Sequence, residues 1–190
     1  MQVITTHTNT DLDGLGSSVA AQKLYPEASI VFPGKLSRNV EEFLALHKDT
    51  LNIKDLKGID LNQVKKLIIV DTKSPRRIGK LGELLSRDDL DIHIYDHHPW
   101  APGDLRGSTE LVETIGATVT LLVEKIMEQN IPISSLEATI MMLGIYGDTG
   151  GLLFTNTTYR DFKAAAYLLK KGARLSVVSE FLGRPLTDEQ

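Results

Sequence analysis

KLIIVDT, residues 66–72, runs four apolar residues from Leu67 to Val70 straight into an aspartate, Asp71. A strand with one wet face alternates apolar and polar residues, whereas an unbroken apolar run fits a strand buried on both faces, as in the middle of a parallel sheet. Working outward, comparable runs recur at VITT (3–6), SIVF (29–32), DIHIY (91–95) and, more weakly, ELV (110–112). Segments of helical period separate them, Gly14 to Leu24 and Arg38 to His47. Such alternation implies right-handed crossovers and a parallel sheet covered on both faces. After residue 114 the strand pattern stops, and Thr118 to Gln129, Ser134 to Tyr146 and Thr158 to Lys171 read as helices. Ser134 with Glu137 fits a capping box, and Gly172 after two lysines fits a helix C-cap. The expected fold class is α/β: a doubly wound, mainly parallel five-stranded sheet flanked by helices, with a helical C-terminal part.

The chain has 190 residues, 42% of them hydrophobic, which is enough for one domain with a sizeable core. Net charge is −4 with acids and bases interspersed, so no basic patch points to tight, sequence-independent DNA binding. The absence of cysteine rules out disulfides, thiolate nucleophiles and zinc–sulfur sites. No signal peptide pattern and no apolar run of about 18 residues is present, and a cytoplasmic location is the expectation. The sequon at Asn156 is then without meaning. Arg184-Pro185 breaks the last helical pattern, and residues 183–190 read as the start of a linker to a further domain.

Asp and His residues gather in four clusters. His7, Asp11 and Asp13 follow VITT, Asp71 follows KLIIV, and Asp96, His97 and His98 follow DIHIY. The fourth, Asp148, lies in GIYGDTGG at an apolar helix end. Ligands of open parallel sheets bind outside the carboxyl ends of the strands, so these loops are expected to converge. Taken singly, each cluster has a plainer explanation: Asp11 and Asp13 as helix cap and first-turn acid, Asp71 and Asp148 as turn residues. An EF-hand also begins like Asn9–Gly14, but its closing glutamate would fall on Ala20. Two imidazoles and four or five carboxylates together, with no thiol, form a ligand set for two hard or borderline divalent ions. Mn2+ fits best, Mg2+ or Co2+ next, with zinc disfavoured. Two ions bridged by a carboxylate are a usual device for phosphoryl hydrolysis. His47 reads as a helix-flank residue, His93 as packing under a helix, and Trp100 as a base-stacking, interface or core residue.

HTNTDLDGLGS, VDT, DHHP and GIYGDTG, in this order and spacing, resemble motifs one to four of the DHH phosphoesterase superfamily. That superfamily includes RecJ-type exonucleases, oligoribonucleases, cyclic dinucleotide phosphodiesterases and manganese-dependent pyrophosphatases. The likeness covers roughly residues 1–182, taken as one DHH domain. ITTHTNTDLDGLGSSVAAQKLYP, FPG, RNVEEFLALH and HIYDHHP are similar, more narrowly, to the DHH module of CBS-domain-containing tRNA nucleotidyltransferase or poly(A) polymerase-like proteins. The resemblance implies His7 and Asp11 on one metal, Asp13, His97 and Asp148 on the other, and Asp71 bridging. It implies His98 at the substrate phosphate or as general acid, Asp96 behind the histidines, Asn9 supporting its loop, and Gly116-Ala117-Thr118 as the turn opening the next helix. The implied activity is metal-dependent hydrolysis of phosphodiester bonds in short oligonucleotides or nucleotides. The alternatives are a pyrophosphatase or phosphomonoesterase, or a non-catalytic metal- or nucleotide-binding module of a larger protein. The GGGH-like motif of the associated substrate-gripping domain is not found in these 190 residues.

Overall fold

In the computed structural model, residues 1–47 and 51–182 are described; the expected linker, 183–190, lies outside them. Five strands form one sheet in the order β2-β1-β3-β4-β5, every pairing parallel. They are β1 (Gln2–Thr5), β2 (Ser29–Ile30), β3 (Lys66–Val70), β4 (Asp91–Asp96) and β5 (Thr109–Val112). β3 is central, and its continuous apolar run is explained by its neighbours. Ile68 and Val70 face one core, Leu67 and Ile69 the other, and all four are 0% exposed. Each such burial contributes about 1.5–3 kcal/mol. SIVF gives only a two-residue strand, because β2 lies at the sheet edge beside the short β1 and Pro33, which has no N–H to donate, follows closely.

The two faces are covered differently. On one lie α1 (Leu12–Leu24), α2 (Arg38–His47), α3 (Thr118–Glu128) and α4 (Ser135–Asp148), with α5 (Tyr159–Lys170) and α6 (Leu175–Leu182) packed against the same core. α4 is buried at every position from Ala138 to Ile145, the burial expected of a helix that is apolar all round. The capping box of Ser134 and Glu137 starts it as expected. Thr158 with Asp161 forms a second box at α5, and Gly172 follows that helix with φ +94°. α6, which the sequence pattern did not resolve from the tail, seals the core through Val178 and Phe181, the latter edge-on to Phe43 at 5.3 Å.

The opposite face carries no α-helix among the described residues. Short 3-10 stretches at Leu56–Gly58, Leu61–Gln63, Pro75–Arg77 and Gly79–Ser86 cover it, inserting Ile59, Ile78, Leu81 and Leu84. Gly79 sits at φ +56°, where a Cβ would lie 2.6 Å from the Pro33 carbonyl oxygen, so that layer is built to lie tight on the β2 edge. Among the described residues no helix is long and apolar enough to cross a membrane.

The chain leaves β1 toward β2 on one side and returns to β3, β4 and β5 on the other. The carboxyl ends of β1 and β3 therefore adjoin at the point where the winding reverses, the place where open α/β sheets form a crevice.

Candidate metal centre

His7 lies two residues beyond β1 and is 2% exposed. Its Nδ1 is 3.0 Å from the Thr8 carbonyl oxygen and donates to it. That leaves Nε2 facing Asp71 Oδ2 at 3.2 Å and Asp11 Oδ2 at 3.6 Å. Asp11 is the N-cap of α1, accepting from the Gly14 N–H through Oδ1 at 3.0 Å. One carboxylate oxygen thus performs the structural duty while the other faces the histidine. Gly14 makes room for the ring: a Cβ there would sit 2.8 Å from Thr6 Oγ1 and 3.3 Å from His7 Nε2.

Asp71, one residue past β3, takes the left-handed conformation at φ +58°, strained for a residue with a side chain. Its Oδ2 faces His7, while Oδ1 accepts from the Thr118 hydroxyl at 2.9 Å and lies 3.6 Å from His97 Nε2. His97 is fixed the same way as His7. Its Nδ1 donates to the Ile115 carbonyl at 2.9 Å, and Nε2 stands 3.3 Å from Asp148 Oδ2. Asp148 is the last residue of α4. Asp13, in the first turn of α1 and 0% exposed, receives the N–H groups of Thr118 and Val119 at 2.7 and 2.9 Å and so caps α3 from across the core. α1 and α4 approach closely enough to align Asp13 and Asp148 because glycines meet at the crossing. A Cβ on Gly144 would come within 3.0 Å of the Leu12 carbonyl oxygen, and one on Gly16 within 3.2 Å of that of Ile140.

Ligand atoms of His7, Asp11 and Asp71 lie within 4.8 Å of one another; so do those of Asp13, His97 and Asp148, and those of Asp71, His97 and His98. All six residues expected as ligands are therefore brought together, in two groups with Asp71 between them.

The electrostatics follow from this crowding. Burial works against the imidazolium of His7, but hydrogen bonds and charge from Asp11 and Asp71 outweigh it and lift its pKa to about 10. His97 is raised to about 9, burial again opposed and outweighed by Asp148, the Ile115 carbonyl and Asp71. Burial, then the charges of Asp71 and Asp148, holds Asp13 well above the usual carboxylate range. Asp148 is raised too, first by burial and then by Asp71. Asp11 is lowered, its burial overcome by hydrogen bonds from His7 and Gly14. The cluster as a whole is short of positive charge.

His98 is half exposed and bonded to Asp96: Nδ1 is 2.7 Å from Asp96 Oδ1, which also accepts the His98 N–H at 3.2 Å. Asp96 thus positions His98 alone, while His97 takes its orientation from Ile115, a division not expected from the sequence. Asn9 is exposed at φ +63°, a backbone state asparagine tolerates. Trp100 is covered by Arg106, whose guanidinium carbon is 3.7 Å from the ring centroid. His93 bonds to Tyr25 at 2.7 Å and packs outside the centre, as expected.

Four contributors went unread in the sequence: Lys73, the Thr118 hydroxyl, the Ile115 carbonyl and Asp161. The last is fully buried in α5 and accepts from Gly116 N and the Thr120 hydroxyl, anchoring the loop that carries Ile115. A lysine directly behind VDT was the one local signal available for Lys73.

A divalent ion suits this donor set. Buried polar atoms ordinarily find partners, yet His97 Nε2 is buried with no hydrogen bond although two carboxylates are near. With Nδ1 committed to a carbonyl, Nε2 is the nitrogen turned toward the carboxylates, as it is in His7, where it meets Asp71 at 3.2 Å. Without metal a proton on each ring serves that contact; a divalent ion could take its place, and histidines tied back through Nδ1 are the usual form of a metal ligand.

Residues 2–145 match the family model described as "DHH family, N-terminal domain", and the chain belongs to that family. Across 191 aligned residues, covering 100% of this chain, it is 44% identical to an A-adding tRNA nucleotidyltransferase of Geobacter sulfurreducens, of which it spans 22%. It is 28% identical, over 88% of its own length and 52% of the other's, to the probable bifunctional oligoribonuclease and PAP phosphatase NrnA of Streptococcus mutans. An exopolyphosphatase-related protein from Bacteroides fragilis shares the fold, with a TM-score of 0.79 at 18% identity, covering 98% of this chain and 57% of that one.

Proposed function

We propose that this chain is a divalent-metal-dependent phosphoesterase that hydrolyses phosphodiester bonds in short oligonucleotides or nucleotides. The observation that carries the reading is Asp71, whose two oxygens face two separate buried imidazoles, Oδ2 toward His7 Nε2 at 3.2 Å and Oδ1 toward His97 Nε2 at 3.6 Å. In this proposal His7 and Asp11 hold one ion, Asp13, His97 and Asp148 the other, and Asp71 spans both, with Mn2+ the preferred ion and Mg2+ or Co2+ substitutes. The ions would supply Lewis-acid charge for the phosphoryl oxygens and lower the pKa of an attacking water.

The protein's own part is positional. Thr118 and the strained backbone of Asp71 fix the bridging carboxylate, and the Thr8 and Ile115 carbonyls fix both imidazoles. Asp96 accepts from His98 Nδ1, which leaves Nε2 free to reach a phosphoryl oxygen or a leaving oxygen as a proton donor. The half-exposed side chains of Asp11 and His98 mark the open side of the centre, by which an extended substrate would enter. The similarity to an oligoribonuclease supports the substrate class.

The test is cleavage of a 5′-phosphorylated dinucleotide by the chain with Mn2+, with a chelator control and with pyrophosphate as a comparison substrate. Two bound ions, diester cleavage and inert pyrophosphate are expected, with Asp71→Asn losing both binding stoichiometry and activity. Asparagine accepts a left-handed backbone, so that variant keeps the fold. Two ions still bound by Asp71→Asn, or cleavage undiminished, would refute the bridging role. One observation favours a second reading, a module that binds metal or nucleotide without turnover: the 44% identity spans the whole chain and belongs to a nucleotidyltransferase. Metal binding without cleavage of either substrate would decide for it.

A further inference from the structure

Lys73 is 3% exposed, an unusual place for a lysine. Its Nζ donates to Asp96 Oδ2 at 2.8 Å and to the His98 carbonyl oxygen at 2.8 Å. The other oxygen of Asp96 receives both the backbone N–H and the ring Nδ1 of His98. Asp104 Oδ2, which caps Ala101 N at 2.7 Å, lies 3.9 Å from the same ammonium. The backbone of Lys73 also accepts from Leu105 N at 2.8 Å, so one residue ties the end of β3 to both ends of the 98–105 loop.

From this geometry we infer that Lys73 is a positioning residue for His98, acting through Asp96; the inference rests on the phosphoesterase reading above. Asp96 is 1% exposed. An ionised carboxylate there needs a counter-charge of its own if it is to stay an acceptor for His98 instead of turning toward the centre. Lys73 supplies that charge on the side away from the imidazole. The remaining oxygen is left for Nδ1, and the carbonyl bond holds the His98 backbone against rotation. His98 then stands with a ring nitrogen within 4.8 Å of ligand atoms of Asp71 and His97. Lys73 touches neither substrate nor metal in this scheme. Partners of this kind change activity about 10–100-fold when removed.

The chain has no cysteine, so Lys73→Cys creates a unique thiol. Alkylation of the unfolded variant with 2-bromoethylamine, followed by refolding, rebuilds a side chain of lysine length bearing an ammonium. Iodoacetamide gives a neutral adduct of similar bulk. With Mn2+ and the dinucleotide, Lys73→Cys should lose about 10–100-fold in kcat with a smaller change in KM and two ions still bound. The aminoethyl adduct should recover most of the loss and the neutral adduct none. Turnover by Lys73→Cys within twofold of the parent, or equal recovery with both reagents, would overturn the inference. Should the parent show no cleavage at all, the phosphoesterase reading fails first. The inference is then decided by NMR of the His98 Nδ1–H, which should be protected from exchange in the parent and lost in Lys73→Met. An unchanged resonance in Lys73→Met sinks it.

Discussion

Without metal at pH 7.5, His7 and His97 both carry a proton, because their pKa values stand at about 10 and about 9. A metal ligand must be neutral imidazole, so in the proposed centre each ion would displace at least one proton. At 1.36 kcal/mol per pKa unit, removing the His7 proton at pH 7.5 costs about 3 kcal/mol and the His97 proton about 2 kcal/mol. The raised carboxyls of Asp13 and Asp148 add to the proton count. Titration calorimetry with Mn2+ in two buffers of unlike ionisation enthalpy should therefore report two or more protons released per molecule at pH 7.5. The apparent affinity should climb about tenfold per pH unit for each proton displaced, levelling near pH 9–10.

The same pKa values fix the sign of the metal-free stability. Both histidines are raised above their unfolded value, so their contribution is complete below about pH 6.5 and is lost as pH rises through 9 and then 10. Asp13 and Asp148, also raised, act in the same direction. The metal-free Tm should fall between pH 7 and 10, while the Mn2+-loaded protein resists that fall. Release of fewer than one proton per molecule, or an affinity flat in pH, would show that no proton stands where the metal goes, and the placement of cations between these residues would be wrong.

Gly144→Ala would push a Cβ against the Leu12 carbonyl and the Asp13 Cα. It should cost about 1–3 kcal/mol in urea unfolding and weaken Mn2+ binding by separating α1 from α4. Asp161→Ala would leave the donors of Gly116, Thr120 and Thr158 without their acceptor, a loss of about 3–5 kcal/mol readable as a lower denaturation midpoint. His93→Gln should cost only about 1 kcal/mol, through its bond to Tyr25, and leave Mn2+ stoichiometry untouched in calorimetry. A changed stoichiometry there would mean that the wrong histidines have been placed at the centre.

The sheet was legible because β3 and β4 write their burial into the chain, and the acids and histidines stand directly beyond strand ends. Convergence of those loops followed from parallel topology alone. What stayed hidden depends on contacts between distant segments. Nothing near Asp13 shows that it caps α3, since Thr118 is 105 residues away. Gly16 and Gly144 look like weak points of two helices until the helices cross. The 79–86 segment shows apolar spacing suited to a helix, but its glycines and its tight seat on Pro33 leave it as 3-10 turns. α6 is eight residues long and gains its stability from Phe43 and the core, so its local pattern merged with the tail. The division of labour between His97 and His98 was also beyond reach, because adjacent residues take their partners from opposite directions, Ile115 and Asp96.

The double engagement of Asp13 has a consequence for how such chains drift. Its carboxylate secures the start of α3, so selection for a folded domain retains it even where catalysis has ceased. Asp148 has no comparable anchoring duty: its side chain pairs with His97 and caps no backbone N–H among the described residues. In a descendant reduced to scaffolding, Asp148 would be free to vary first, and a surviving Asp13 would say little about activity. Comparing the two positions across relatives gives a way to tell working centres from relics without an assay.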